Sequence, residues 1–195
     1  MKTMSISPIW LRLRRSALDL IEDCNGIAAT EFAVIVPVML AMFFGTVEIS
    51  SGVAANRKVT LMARTLSDLT SQSTSVDDTT VNNFFAASTA IMTPYDPTPT
   101  KSTISELYVD PNTHKASVQW SKGSAPRAVG STVVIPPELA VDGTYVIFSE
   151  VSYLYKPAVG YVMGKAGVNL SDLAYTRPRQ STCVFYSPDT ACTTL

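Results

Sequence analysis

The sequence predicts an α+β fold: a long N-terminal helix that spans a membrane and continues as a stalk, then a small exported domain built on an antiparallel sheet. Three observations predict it. From Ile27 to Val47 the chain is apolar, with Glu31 as its one charge. From Gly52 to Leu69 small and apolar residues recur at spacings of three and four, the stripe of an amphipathic helix. Beyond Ser102 the pattern changes to a period of two, the alternation of strands.

Composition bounds the rest. A chain of 195 residues suits one domain with appendages. A formal net charge of -1 gives no electrostatic case for a nucleic-acid partner. With 46% apolar and 16% charged residues the chain is ordinary overall, so the dense apolar block near the N-terminus stands out.

The 21 residues from Ile27 to Val47 would form a helix about 31 Å long, the thickness of a bilayer core. Pro37 lies inside this stretch. It withdraws one backbone donor and predicts a kink, which membrane helices tolerate better than soluble ones. A cleavable secretory signal and a buried core helix are the alternatives. The apolar stretch is longer than a signal core, and Glu48 follows it at once, so a single span is the reading adopted. Four basic residues precede it (Lys2, Arg12, Arg14 and Arg15) and three follow (Arg57, Lys58 and Arg64). Charge therefore orients the span only weakly. The polar, Ser- and Thr-rich remainder places the N-terminus in the cytoplasm and the C-terminal domain in the periplasm or outside the cell. The domain organisation expected is a leader over 1–26, a transmembrane helix over 27–47, a stalk helix over 48–69 and an α+β domain over 70–195.

In the stalk, Gly52, Ala55, Val59, Met62, Leu66 and Leu69 form the stripe, and Arg57, Lys58, Arg64 and Asp68 fall off it. Its later half is expected to pack on the protein's own sheet. The Gly45–Gly52–Ala55 end suits close packing between membrane helices. Thr70 to Thr80 reads as a polar linker, with Asp77 or Asp78 capping a helix that carries Val81, Phe84, Phe85, Ser88, Ile91 and Met92 on one face. That helix stops before Pro94. "STISELYVD" and "KASVQW" read as paired strands turning at Asp110-Pro111-Asn112, and "STVVIPPEL" as a short strand stopped by two prolines. "GTYVIFSEVSYLYKP" is apolar on both faces and reads as a central strand, while "STCVFYSPDTAC" supplies the last strand.

Cys183 and Cys192 have eight residues between them. In an oxidising compartment such a pair reads as a small disulfide loop; the alternative is two unrelated buried thiols. Cys24 stands alone. With one histidine, His114 in a turn, the ligands of a metal cluster are missing. The acids Glu106, Asp110, Glu138, Asp142 and Glu150 are scattered, and neither a nucleophile motif nor a phosphate-binding glycine loop is present. No catalytic residue, metal or cofactor is expected, and the chain reads as a structural or interaction protein.

The border of the span narrows the class. Gly26, four residues, Glu31 and Phe32 open an apolar helix after a basic leader. This resembles the processing site of type IV prepilins. The wider pattern resembles the TadE/TadG-like proteins of the Tad (tight adherence) pilus system: Ala28-Ala29, Glu31-Phe32-Ala33, Pro37, Glu48, then a helix bearing Arg57 and Arg64. The resemblance is close over residues 26–70 and general beyond. It implies a pilin-like fold and a cut between Gly26 and Ile27 by a membrane prepilin peptidase. It also implies a minor pilin or pseudopilin anchored in the inner membrane, whose partners are other pilus-assembly subunits and minor pilins. After the cut, the Ile27 ammonium and Glu31 lie one helical turn apart. Glu31 and Phe32 then act in assembly, with Glu31 pairing to a neighbour's terminus and setting axial register. The competing reading is a membrane-anchored periplasmic protein that binds a partner and never enters a filament, its Glu31 reaching the headgroups.

Overall fold

One helix, α1, runs from Gly26 to Ser71 in a computed structural model that describes residues 26–157, 167–189 and 192. The leader's basic and acidic residues and Cys24 lie outside the described residues. The chain divides into two units between Val47 and Glu48. In the first, every described side chain is exposed except that of half-buried Val36. Two hydroxyls there bond back to the helix: Thr30 Oγ1 donates to the Ile27 carbonyl at 2.8 Å and Thr46 Oγ1 to that of Met42 at 2.9 Å.

The second unit is the head. After α1 come β1 (Ser75–Val76), α2 (Asp78–Thr89) with a 3-10 turn (Ala90–Met92), β2 (Thr100–Val109), β3 (Ala116–Gly123), β4 (Thr132–Val133), β5 (Tyr145–Tyr155), β6 (Val168–Thr176) and β7 (Phe185–Tyr186). The main sheet is antiparallel, in the order β4-β3-β2-β5-β6. Asp77 caps α2: its carboxylate accepts from the Thr80 amide at 2.7 Å, satisfying one of the free amides of the first turn. The β2–β3 turn closes through Asp110, whose carboxylate accepts from the Asn112 amide at 2.8 Å. Gly123 ends β3 with φ +138, where a side chain would collide with the Ser102 and Thr103 backbone.

Two apolar clusters flank the sheet. On one face, α1 lays down Ala55, Val59, Met62, Ala63 and Leu66 against Ile104, Trp120, Ile147, Val151, Tyr153 and Tyr155. On the other, Leu107, Val109, Ala116, Val118, Val133, Val146 and Phe148 pack together, with Tyr175 stacked on Phe148 at 4.8 Å. The pairing shifts register between Glu106 and Leu107: Glu106 faces Trp120, but Leu107 faces Val118. The extra residue, Gln119, is a bulge, and it lets Trp120 face the helix while Val118 faces away.

The stalk stripe therefore packs on the protein's own sheet, as its later half was expected to. Three details differ. Leu69 is half-buried, and Ser67, Thr70 and Ser71 take the buried places at the end of α1. Gly52 and Ala55 are used by the head itself: a side chain at Gly52 would touch the Tyr155 ring, and Ala55 is fully buried. β5 is interior, but the middle strand is β2.

The C-terminal segment also departs from expectation. Its strand β7 does not join the main sheet; it pairs in parallel with β1, a strand inside the supposed linker. The place beside β5 belongs to β6, which the sequence reading passes over because only Ala174 of its nine residues is buried. A buried carboxylate holds the segment where it is. Glu106, 2% exposed, accepts from the Val184 amide at 2.5 Å and from the Trp120 indole at 3.1 Å, and the same indole donates to the Val184 carbonyl at 2.6 Å. Cys183, next to Val184, is joined to Cys192 in a disulfide with a Cα–Cα distance of 5.8 Å.

Burial pushes the Glu106 carboxyl up from 4.5 to about 7, against the two hydrogen bonds that favour its charged form. Between those values the folded head keeps a proton that the unfolded chain has released. Stability is therefore expected to fall as pH rises from 4.5 to 7, by up to roughly 3 kcal/mol. The carboxyls of Asp77, Asp78, Asp96 and Asp110, held below the usual 3.8 by hydrogen bonds, act in the opposite sense and only at lower pH. Denaturant midpoints of the full chain in detergent across this range check the slope, which Glu106→Gln should flatten.

Candidate functional site

The residues that the sequence singles out fall into two groups. Gly26, Ile27, Glu31, Phe32 and Pro37 lie on the first third of α1. Gly26 opens the helix, and nothing stands within 4 Å of where its side chain would be. Ile27 and Phe32 are bare, at 59% and 67% exposure. Glu31 is exposed on the same helix face as Ile27, one turn further on. α1 continues unbroken through Pro37. This stretch is long and apolar enough to cross a membrane, and none of its most apolar window is buried by the protein. Its exposed run from Ile27 to Val47 is far larger than the scattered apolar side chains normal for a solvated surface. The second group, Cys183 and Cys192, closes the C-terminal loop of the head.

Glu48, the first charge beyond this stretch, has a partner that the sequence does not reveal. Tyr155, at the end of β5, donates its hydroxyl to Glu48 Oε1 at 2.8 Å. Tyr95, from the loop after the 3-10 turn, donates to the Ser51 carbonyl at 3.0 Å. The two rings meet edge to face, with centroids 6.3 Å apart. Burial, and then the Glu48 carboxylate, push the Tyr155 hydroxyl up to about 12, so it remains a donor at any physiological pH. Further along, Lys58 Nζ donates to the Ile91 carbonyl at 2.9 Å and Ser149 Oγ to the Ala63 carbonyl at 2.6 Å. Thr60 bonds Asp172, Ser67 bonds Thr176, and Arg179 pairs with Asp68 at 2.5 Å. The head thus grips α1 by hydrogen bonds from Glu48 to Ser71, in addition to the apolar stripe.

Four of the acids noted as scattered, Glu106, Asp110, Asp142 and Glu150, have structural partners. Glu150 takes a two-pronged ion pair from Arg127, both bonds 2.7 Å. Asp142 meets His114 Nδ1 at 2.8 Å in the exposed turn. His114 holds φ +56 there. Glu106 is buried in the core and missed as such by the sequence reading. Its signal is an acid two residues after Ile104, on the inward face of the strand. Among the described residues, no three His, Cys, Asp or Glu side chains converge as metal ligands. One groove on the head is lined by the paired Arg127 and Glu150 with Lys101, Thr103, Ser171 and Leu173.

Compared with known families, residues 26–66 match the family described as TadE-like protein. The match begins at the glycine that opens α1 and ends at Leu66, the last large apolar residue of the buried stripe. It covers helix and not sheet. No curated protein and no solved structure matches the chain.

Tyr155→Phe keeps the ring and removes the donor to Glu48. The expected loss is about 1.5–3 kcal/mol, the range for a hydrogen bond to a charged group. Faster amide exchange over the turn from Glu48 to Gly52, with the sheet amides unchanged, is the result that checks it.

Proposed function

We propose that this chain, TadE-like over residues 26–66, is a membrane-anchored subunit in the assembly of a Tad-type pilus. It acts as a minor pilin or pseudopilin and carries no catalytic activity of its own. The observation that carries the reading is one helix with two different halves. Its first half is bare, apolar and opened by Gly26, Glu31 and Phe32; its second half is gripped by a folded head. A helix of this kind is held by lipid before assembly and by other apolar helices afterwards, while the head remains in water. The membrane is the inner membrane, with the N-terminus cytoplasmic and the head periplasmic.

A prepilin peptidase cutting between Gly26 and Ile27 would meet little obstruction, since Gly26 presents no side chain and Ile27 is exposed. The new ammonium at Ile27 and the Glu31 carboxylate are the two charges near the start of an apolar segment. Each is costly to bury alone, and pairing between neighbouring subunits offsets that cost and fixes the axial step. Pro37 supplies the point at which the span bends to fit its neighbours.

The second reading, an anchored partner-binding protein that never enters a filament, draws on Gly52 and Ala55. The head occupies these small residues itself and so removes them from helix–helix contacts. The protein recovered in sheared pili supports the filament reading; recovery only in the inner-membrane fraction supports the second.

Mass spectrometry of the purified protein is expected to show a mature chain beginning at Ile27, and a chain retaining residues 1–26 would exclude processing. Glu31→Ala is expected to insert in the membrane at wild-type level yet be lost from the pilus fraction. Wild-type incorporation of that variant would remove the pairing role.

A further inference from the structure

A sheet edge invites a further strand unless something blunts it, and the two edges of the main sheet are unequal. β4 is two residues long, and Pro136-Pro137 follow soon after it. β6, the other edge, is nine residues long and holds no proline, lysine or arginine. Its one charge, Asp172, is drawn onto α1, where Thr60 donates to Oδ2. Register fixes which backbone groups of β6 point outward. At the end of β2, the Val109 amide bonds toward β5, to the Thr144 carbonyl at 3.0 Å. Hydrogen-bonding direction alternates along each antiparallel strand. Leu107, two residues before Val109, therefore also bonds toward β5, and it sits opposite Val146. The next residue of β5, Ile147, then bonds toward β6, opposite Thr176. The even residues of β6 thus bond β5, and Ser171, Leu173 and Tyr175 turn their amides and carbonyls to the free edge. Among the described residues, only the Leu173 amide of this set finds a partner, the adjacent Asp172 Oδ1 at 2.8 Å.

Arginines flank this edge. On α1, Arg57 and Arg64 stand about one turn before and after Thr60, and both are exposed. Arg177 and Arg179 directly follow β6. Arg64, Asp68 and Arg179 line one groove together with Leu173, Tyr175 and Thr176. Arg179 is paired with Asp68, but among the described residues Arg64 has no ion-pair partner. Set against Asp68 and Asp172, the arginines leave an excess of positive charge. Leu173, opposite Glu150 on the face of β6 turned away from α1, adds apolar surface at 51% exposure.

We propose that the edge of β6 over residues 171–176 takes an added strand from a partner protein, an extended segment in which acidic side chains alternate with apolar ones. The backbone of that segment bonds Ser171, Leu173 and Tyr175. Its acids lie toward Arg64, and its apolar side chains, on the opposite face, lie beside Leu173. A second copy of this chain is a poor occupant, because it brings the same excess of arginine to the same edge. The surface lies wholly within the head, so it stands whether or not the chain enters a filament.

The test titrates the full chain, in detergent and with its disulfide intact, into two short fluorescent peptides at low salt. One alternates valine with glutamate, the other valine with lysine. Anisotropy should show the glutamate peptide binding about tenfold more tightly. Leu173→Pro removes the outward amide and no bond to β5, a place where an edge strand tolerates proline. It should weaken the glutamate peptide by about tenfold, the equivalent of one hydrogen bond. Arg64→Glu, at an exposed position, should abolish the preference for glutamate over lysine. Equal binding of the two peptides to the wild-type chain, binding of neither, or glutamate-peptide binding unchanged by either variant overturns the proposal. Concentration-dependent dimerisation of the peptide-free chain in sedimentation, lost in Leu173→Pro, assigns the edge to a second copy and also overturns it.

Discussion

The head exists because one stripe of α1 is buried in it. Ala55, Val59, Met62, Ala63 and Leu66 are all fully removed from solvent against the inward face of the sheet. The second apolar face of the sheet packs with Ile135 and Tyr175, whereas the first is covered by α1, by β1 and α2 with the 3-10 turn and Tyr95 that follow it, and by Val184 and Tyr186 of the C-terminal segment. Removing the helix would expose Ile104, Ile147 and Val151 at the centre of the strands. A core of this kind is close-packed, so each of the five helix residues is held by its neighbours and by the hydrophobic effect together. The same burial fixes which face of α1 is turned inward over the whole second half of the helix, because a helix cannot rotate one turn without rotating the next.

Polar contacts refine that placement. At Glu48 and Ser51 a tyrosine ending β5 and one from the loop after the 3-10 turn meet the helix; at Ala63 a serine of β5 does; at Asp68 and Ser71 the approach is from Arg179. Apolar contact alone tolerates sliding, whereas hydrogen bonds to particular carbonyls do not, since a displaced donor leaves a buried group unsatisfied. Glu106 plays the equivalent part for the C-terminal segment. Its carboxylate and the Trp120 indole together hold both the amide and the carbonyl of Val184, and the disulfide closes the loop beyond.

Much of the fold was legible in the chain. The period of three and four from Gly52 to Leu66 read as a helix because each side chain met one face of one sheet. The apolar stretch from Ile27 to Val47 read as it did because no protein covers it. β5 read as interior because Val146 and Phe148 face one cluster while Ile147 and Val151 face the other. β6 was missed because an edge strand with one buried residue has no alternation to detect, and the β1–β7 pairing because two residues from distant segments carry no pattern. The small residues Gly52 and Ala55 were misassigned for a related reason: spacing shows that something packs closely there but not which partner.

By itself the sequence determined what depends on neighbours along the chain: the apolar segment with Gly26, Glu31 and Phe32 at its head, the amphipathic stripe after it, the Asp77 cap, the Asp110 turn and the two cysteines near enough to close a loop. Only the tertiary structure decided that Tyr155 and Tyr95 bind Glu48 and Ser51, that Glu106 is buried against Val184, and that the last strand stands apart from the main sheet. Each of those joins residues 44 or more positions apart. The reason is physical: periodicity and local hydrogen bonding record the forces along a helix or strand, whereas a contact between distant segments is chosen by the shape and charge that all the other elements leave open.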